Sequence, residues 1–112
     1  MTPQRIQLSR RKGFNLQRAS LELNGLPAIN CARPGHWGNV FKVGMPAPDG
    51  MRPITQLDSI EQCVEAHRRM CLTMTGKVTE IRTFLRGKNL ACYCKLGDPC
   101  HVDFYLLVAN KD

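Results

Sequence analysis

Asn89-Leu90-Ala91-Cys92-Tyr93-Cys94-Lys95-Leu96-Gly97-Asp98-Pro99-Cys100-His101 decides how this chain is read, because it holds three of the six cysteines and one of the three histidines and changes periodicity midway. Leu90, Cys92 and Cys94 alternate with Ala91 and Tyr93, so the two thiols project from one face of an expected strand. Lys95-Leu96-Gly97 then supplies a short turn. Asp98 suits a helix N-cap and Pro99 a first helical position, which places Cys100 and His101 in the opening turn of a last helix. A strand and a helix joined this tightly bring all four groups to the edge where open α/β sheets bind ligands.

Two chemistries compete for that joint, beside the plain alternative of buried structural cysteines. In the first, Cys92, Cys94, Cys100 and His101 hold zinc, whose preferred ligands are thiolate and imidazole. The spacing lacks the paired Cys-x2-Cys arrangement of common structural sites, and adjacent Cys100 and His101 point about 100° apart on a helix, which makes joint ligation harder. In the second, Cys100 at a helix N-terminus is a thiolate nucleophile favoured by the helix dipole and unpaired amides. His101 is then the adjacent acid or base, and the same amides cradle an oxyanion or phosphate.

Upstream, Lys77 to Arg86 reads as a helix burying Val78, Ile81, Phe84 and Leu85, with Gly87 at its left-handed end. A longer helix opens at Ser59, where Gln62 completes a capping box. Ile60, Cys63, Val64, His67, Met70, Cys71 and Met74 share its apolar face, so Cys63 and Cys71 read as core thiols and His67 as a core histidine. Gly44 to Pro53, with three prolines, is a loop.

Leu26 to Ala32 reads as a buried strand that runs into Arg33-Pro34-Gly35-His36-Trp37-Gly38-Asn39-Val40-Phe41. Loops after strands carry binding groups. Arg33 suits a phosphate or carboxylate, Trp37 a stacked base and Asn39 an amide edge. The plain alternatives are that Trp37 and Phe41 plug the core and Asn39 caps the turn. Before this, Leu21-Glu22-Leu23 reads as a brief extended piece closed by an Asn24-Gly25 turn. Ile6 and Leu8 alternate with polar neighbours like a short strand.

Residues 1–18 form a basic arm, since Arg5, Arg10, Arg11, Lys12 and Arg18 meet no acid there; it is either a phosphate-contacting arm or a solvated tail. Across all 112 residues, 16 Lys and Arg against 9 acids give a net charge of +7, which favours an anionic partner such as a nucleotide or nucleic acid. No run is long and apolar enough for a membrane span, and the polar start does not look like a signal peptide. A cytoplasmic protein with no membrane partner is therefore expected, its cysteines serving as thiols or metal ligands rather than disulfides.

Three stretches together resemble the DUF4326 family, which occurs in bacteria and their phages: the early Arg5-Ile6-Gln7-Leu8-Ser9-Arg10-Arg11-Lys12-Gly13-Phe14, then Arg33-Pro34 with Trp37-Gly38-Asn39 and Phe41, and finally Leu85-Arg86-Gly87-Lys88-Asn89-Leu90-Ala91-Cys92 with Cys94 and Pro99-Cys100-His101 followed by Asp103. The chain departs from that pattern at Val40, where proline is usual, at Tyr93, where tryptophan is usual, and by a longer segment before Arg33; the charged and thiol positions stand. The resemblance implies that Asp103 belongs with Cys100 and His101, and it implies no particular activity. The cysteine joint is also similar to that of the DUF488 family.

The expected architecture is a small single α/β domain over residues 1–112, a two- or three-layer sandwich with a mixed or mostly parallel sheet of about four strands and about three helices. Two functions follow. In one, Arg33, Trp37 and Asn39 position a nucleotide, nucleobase or nucleic acid against a catalytic Cys100, His101 and Asp103. In the other, a zinc-stapled cysteine cluster supports a non-catalytic nucleic-acid-binding module. The first requires Arg33, Asn39 and the cysteines to line one concave pocket, the second a flat basic face remote from the thiols.

Overall fold

The structure, a computed structural model, describes residues 2–111; Met1, the first residue of the expected basic arm, and Asp112 lie outside them. Among the described residues the chain forms β1 (Arg5–Gln7), α1 (Leu16–Asn24), β2 (Ala28–Asn30), a 3-10 turn (Asp49–Met51), α2 (Ile60–Thr73), α3 (Lys77–Leu85), β3 (Asn89–Cys92) and α4 (His101–Asn110). The sheet order is β1-β3-β2, and β3 runs parallel to both neighbours, with Gln7 opposite Cys92 and Asn30 opposite Ala91. A central parallel strand is covered on both faces, and all four residues of β3 are buried. On one face Asn89 meets Ser20 and Asn24 of α1; on the other, Cys92 approaches Cys100 at the start of α4, which packs in turn on α3 and α2.

The α/β class stands, with three strands rather than four and four helices rather than three. The extra helix is α1, where the sequence suggested an extended Leu21-Glu22-Leu23. Asn15 caps it by accepting from the Arg18 amide at 3.0 Å, and Gly25 closes it at φ 78, so the Asn24-Gly25 signal marks a helix end instead of a hairpin. The inward positions are Leu16, Ser20 and Asn24, two of them polar, while Leu21 and Leu23 face solvent. That exchange erases the apolar helical period and leaves a false alternation.

The expected arm is likewise part of the fold, because it contains β1 and the start of α1, and among its described residues only 2–4 and 8–15 lack regular structure. The capping expectation at Ser59 holds: its hydroxyl accepts from the Gln62 amide at 3.2 Å, and Gln62 Oε1 accepts from the Asp58 amide at 2.6 Å. The loop through Gly44–Pro53 is pinned by a bridge between Pro46 and Gln56 and by Met51, which packs with Leu57, Cys63 and Ala66 in a second small core. That core sets the outer wall of the cleft described next.

Candidate functional site

The strand-to-helix joint follows β3 directly. Residues 95–98 turn on a bond from the Asp98 amide to the Lys95 carbonyl at 3.0 Å, and Cys100 is extended at φ −150 and ψ 145. Consequently α4 begins at His101, two residues later than Asp98 and Pro99 suggested, and Cys100 is its N-cap. The extended backbone swings the Cys100 thiol back toward the strand. The Sγ atoms of Cys92, Cys94 and Cys100 all lie within 4.8 Å of one another, a group that can hold a metal ion. Cys92 and Cys94 Sγ are 3.7 Å apart, close to the edge of about 3.8 Å expected for two thiolates on a tetrahedral zinc.

His101 stands outside that thiol triangle. Its Nε2 donates to the carbonyls of Cys31 at 2.8 Å and Trp37 at 3.0 Å, which turns Nδ1 toward Cys100 Sγ at 3.7 Å. The ring is buried and ties β2 and the following loop to α4. Of the four cysteine-joint residues, three therefore converge, and the fourth, His101, approaches that triangle through Cys100.

Within the triad the three sulfurs differ in what surrounds them. The Cys100 thiol donates to Cys92, and with help from the Cys94 amide this pulls Cys92 down to about 5 against the opposing effect of burial. Giving that hydrogen bond and being buried both push Cys100 well above the ordinary thiol range, though the Val102 amide works the other way. Burial also raises Cys94. The hydrogen bond from Cys100 thus favours the thiolate on Cys92 within the triad.

A cleft of about 280 Å³ opens over these sulfurs. Cys92, Cys94, Pro99, Cys100 and His101 line one side, while Arg33, Asn39, Phe41, Lys42 and Val43 come from the loop after β2, and Ile60, Cys63 and Val64 from the start of α2. Arg33 Nη1 donates to the carbonyls of Asn39 at 3.3 Å and Phe41 at 3.1 Å, which fixes the guanidinium at the cleft wall. Asn39 is buried with both amide atoms engaged, donating to the Cys63 carbonyl at 3.2 Å and accepting from the Phe41 amide at 2.9 Å. It shapes the loop.

Trp37 and Asp103 lie elsewhere. The Trp37 ring packs edge-on against Tyr105 at 5.6 Å with the Lys77 ammonium 4.8 Å above it, behind the cleft. Asp103 is exposed and pairs at 3.0 Å with Arg5, whose other arm donates to the Lys95 carbonyl at 2.8 Å. Arg5 is therefore a clamp between β1 and the joint.

The family described as a domain of unknown function, DUF4326, matches residues 8–111, nearly the whole chain and every residue of the site. The chain belongs to this family. No curated protein and no solved structure matches it. Among the described residues, no helix is long and apolar enough to cross a membrane.

Several groups in this DUF4326 chain went unread in the sequence. Lys42 lines the cleft without belonging to any motif, and Cys63, read as a core thiol, faces both the core and the cleft. The Cys31 carbonyl that holds His101 gave no signal, since a backbone acceptor is invisible in residue types. Cys63 and Val64 sit on the apolar face of α2, but only the position of the loop after β2 shows that this face is shared between core and cleft.

Proposed function

We propose that this DUF4326 protein holds zinc through Cys92, Cys94 and Cys100 and uses the cleft over them to bind and process a nucleotide-type anionic ligand. The observation that carries this reading is the convergence of Arg33 and Lys42 with the three thiols in one concave cleft. Cys92, Cys94 and Cys100 would hold the ion as thiolates, and zinc so held would supply a Lewis acid or an activated water beside the cleft. Arg33 and Lys42 attract the ligand's anionic group, while Phe41, Val43, Ile60 and Val64 offer apolar walls to its ring. Six free cysteines fit a reducing compartment, and we assign the protein to the cytoplasm on that ground.

A non-catalytic zinc-stapled module is the second reading. It is favoured by the commitment of the Asn39 amide and the Trp37 ring to internal contacts, which removes two of the three expected ligand readers. Product formation from the bound nucleotide, followed by chromatography, separates the two: unchanged ligand at full occupancy selects the module.

The metal is tested by elemental analysis of freshly purified, fully reduced protein. One equivalent of zinc is expected, falling by at least tenfold in Cys100→Ala; metal-free wild type would overturn the zinc site and leave the Cys92 thiolate as the reactive group. For the ligand, calorimetry with nucleoside monophosphates should show binding that an Arg33→Gln/Lys42→Gln variant weakens at least tenfold with zinc content intact. No binding to wild type overturns the nucleotide reading.

A further inference from the structure

Because the sheet is wholly parallel, all three strands end at the same edge, and each exit delivers cations there. After β1 come Arg10, Arg11 and Lys12; after β2, Arg33, with Lys42 further along the same loop; after β3, Lys95. All six are exposed, and none is in an ion pair with a carboxylate among the described residues. Elsewhere Arg52, Arg68, Arg69 and Lys77 are each matched with an acid. On this edge Asp103 is neutralised by Arg5, leaving Asp98 as the exposed acid of the joint. Six exposed cations in no ion pair among the described residues thus follow the strand ends at the edge where the cleft opens, and two of them, Arg33 and Lys42, line it.

An aromatic group sits within that charge. Tyr93, between two of the cysteines, is 39 % exposed and carries the Arg10 guanidinium 4.0 Å from its ring centroid. A ring backed by a guanidinium and open to solvent is the kind of platform on which nucleobases stack without sequence preference. The cleft itself, at about 280 Å³, admits one ring system and not a duplex. A base can reach such a pocket only out of the stack.

We infer that the ligand is one nucleotide of a single-stranded nucleic acid: its base enters the cleft, a neighbouring base stacks on Tyr93, and the flanking phosphates cross the rim of Arg10, Arg11, Lys12 and Lys95. This rests on the nucleotide reading of the cleft and adds the polymer. A mononucleotide would fill the cleft and leave the rim unused.

Fluorescence anisotropy of the intact, zinc-loaded chain with labelled strands of about ten nucleotides tests it, since site sizes in this class run from about 4 to 16. The single strand is expected to bind at least tenfold tighter than a mononucleotide or a matched duplex. Its affinity should fall steeply with salt, by roughly 0.7 in logarithmic slope per phosphate neutralised. An Arg10→Gln/Arg11→Gln/Lys12→Gln variant should lower that slope by about 2, and Tyr93→Ala should weaken binding at least fivefold at unchanged slope. These residues are exposed, and zinc content reports that each variant still folds. Equal affinity for strand and mononucleotide, equal affinity for strand and duplex, or an unaltered slope in the triple variant overturns the inference; mononucleotide binding that still depends on Arg33 and Lys42 would then leave the cleft reading standing. Strand binding indifferent to Arg33→Gln/Lys42→Gln overturns the entry of a base into the cleft.

Discussion

His67 shows how a single buried group sets the response of this protein to acid. Its ring is 1 % exposed, with Nε2 2.9 Å from the Tyr105 hydroxyl and the Cys71 thiol alongside at 3.6 Å. Burial, helped by the nearby His101 and Lys77 charges, pushes it down from 6.5 to about 3. The unfolded chain therefore takes up a proton near pH 6.5 that the folded chain refuses, and stability is lost as pH falls from about 6.5 toward 3. Glu65 acts lower: its hydrogen bond from Arg68 pulls it to about 2, so its contribution is present above 4.5 and lost only below that. Urea unfolding at pH 7 and pH 5 isolates the histidine. A loss of about 2 kcal/mol is expected in wild type, and little of it in His67→Gln, which keeps a polar group opposite Tyr105; equal losses in both would show that another group is responsible. The sequence placed His67 correctly on the apolar stripe of α2, but the hydrogen bonding among Cys92, Cys94 and Cys100 was not legible. Spacing does not specify which thiol donates to which.

Among the elements, the loop after β2 decides whether the cleft has a second wall. Its shape depends on Gly38, where an added Cβ would lie 2.9 Å from both the Arg33 Cα and the Arg33 nitrogen. These are backbone atoms that cannot step aside, so Gly38→Ala must displace the segment that carries Arg33. The expected result is nucleotide affinity lowered at least tenfold with one equivalent of zinc retained, because the thiols belong to the end of β3 and its joint with α4; calorimetry beside metal analysis would reveal an unaltered affinity if the loop were indifferent. Helices α2 and α3 were readable because Ser59, Gln62 and the spacing of Cys63, His67 and Cys71 follow local rules. The start of α4 was misread for an equally local reason. Asp98 and Pro99 have the right chemistry for a cap, yet the turn at residues 95–98 and the extended Cys100 serve the thiol cluster instead.

At the scale of the whole molecule, Asn89 joins parts of the chain that are far apart in sequence. Its Oδ1 accepts from the Gln4 amide and from Asn24 Nδ2, both at 2.9 Å, and its Nδ2 donates to Ser20 and Asn24, both at 2.7 Å. Removing it strands buried groups on α1 and on the residue before β1. Asn89→Ala is expected to cost roughly 3 kcal/mol, read as a lowered denaturation midpoint at unchanged slope; a cost under about 1 kcal/mol would mean that water replaces the network. No pattern in the sequence announced this asparagine, nor the order β1-β3-β2, since both are pairings across more than sixty residues. That order also sets a timetable. The middle strand is the last of the three to leave the ribosome, so β1 and β2 have no sheet partner until residues 89–92 emerge, and Cys92, Cys94 and Cys100 arrive in the same few seconds of synthesis. The nascent chain is thus spared a half-built thiol centre: the sulfurs appear only when the scaffold that separates and orients them can close.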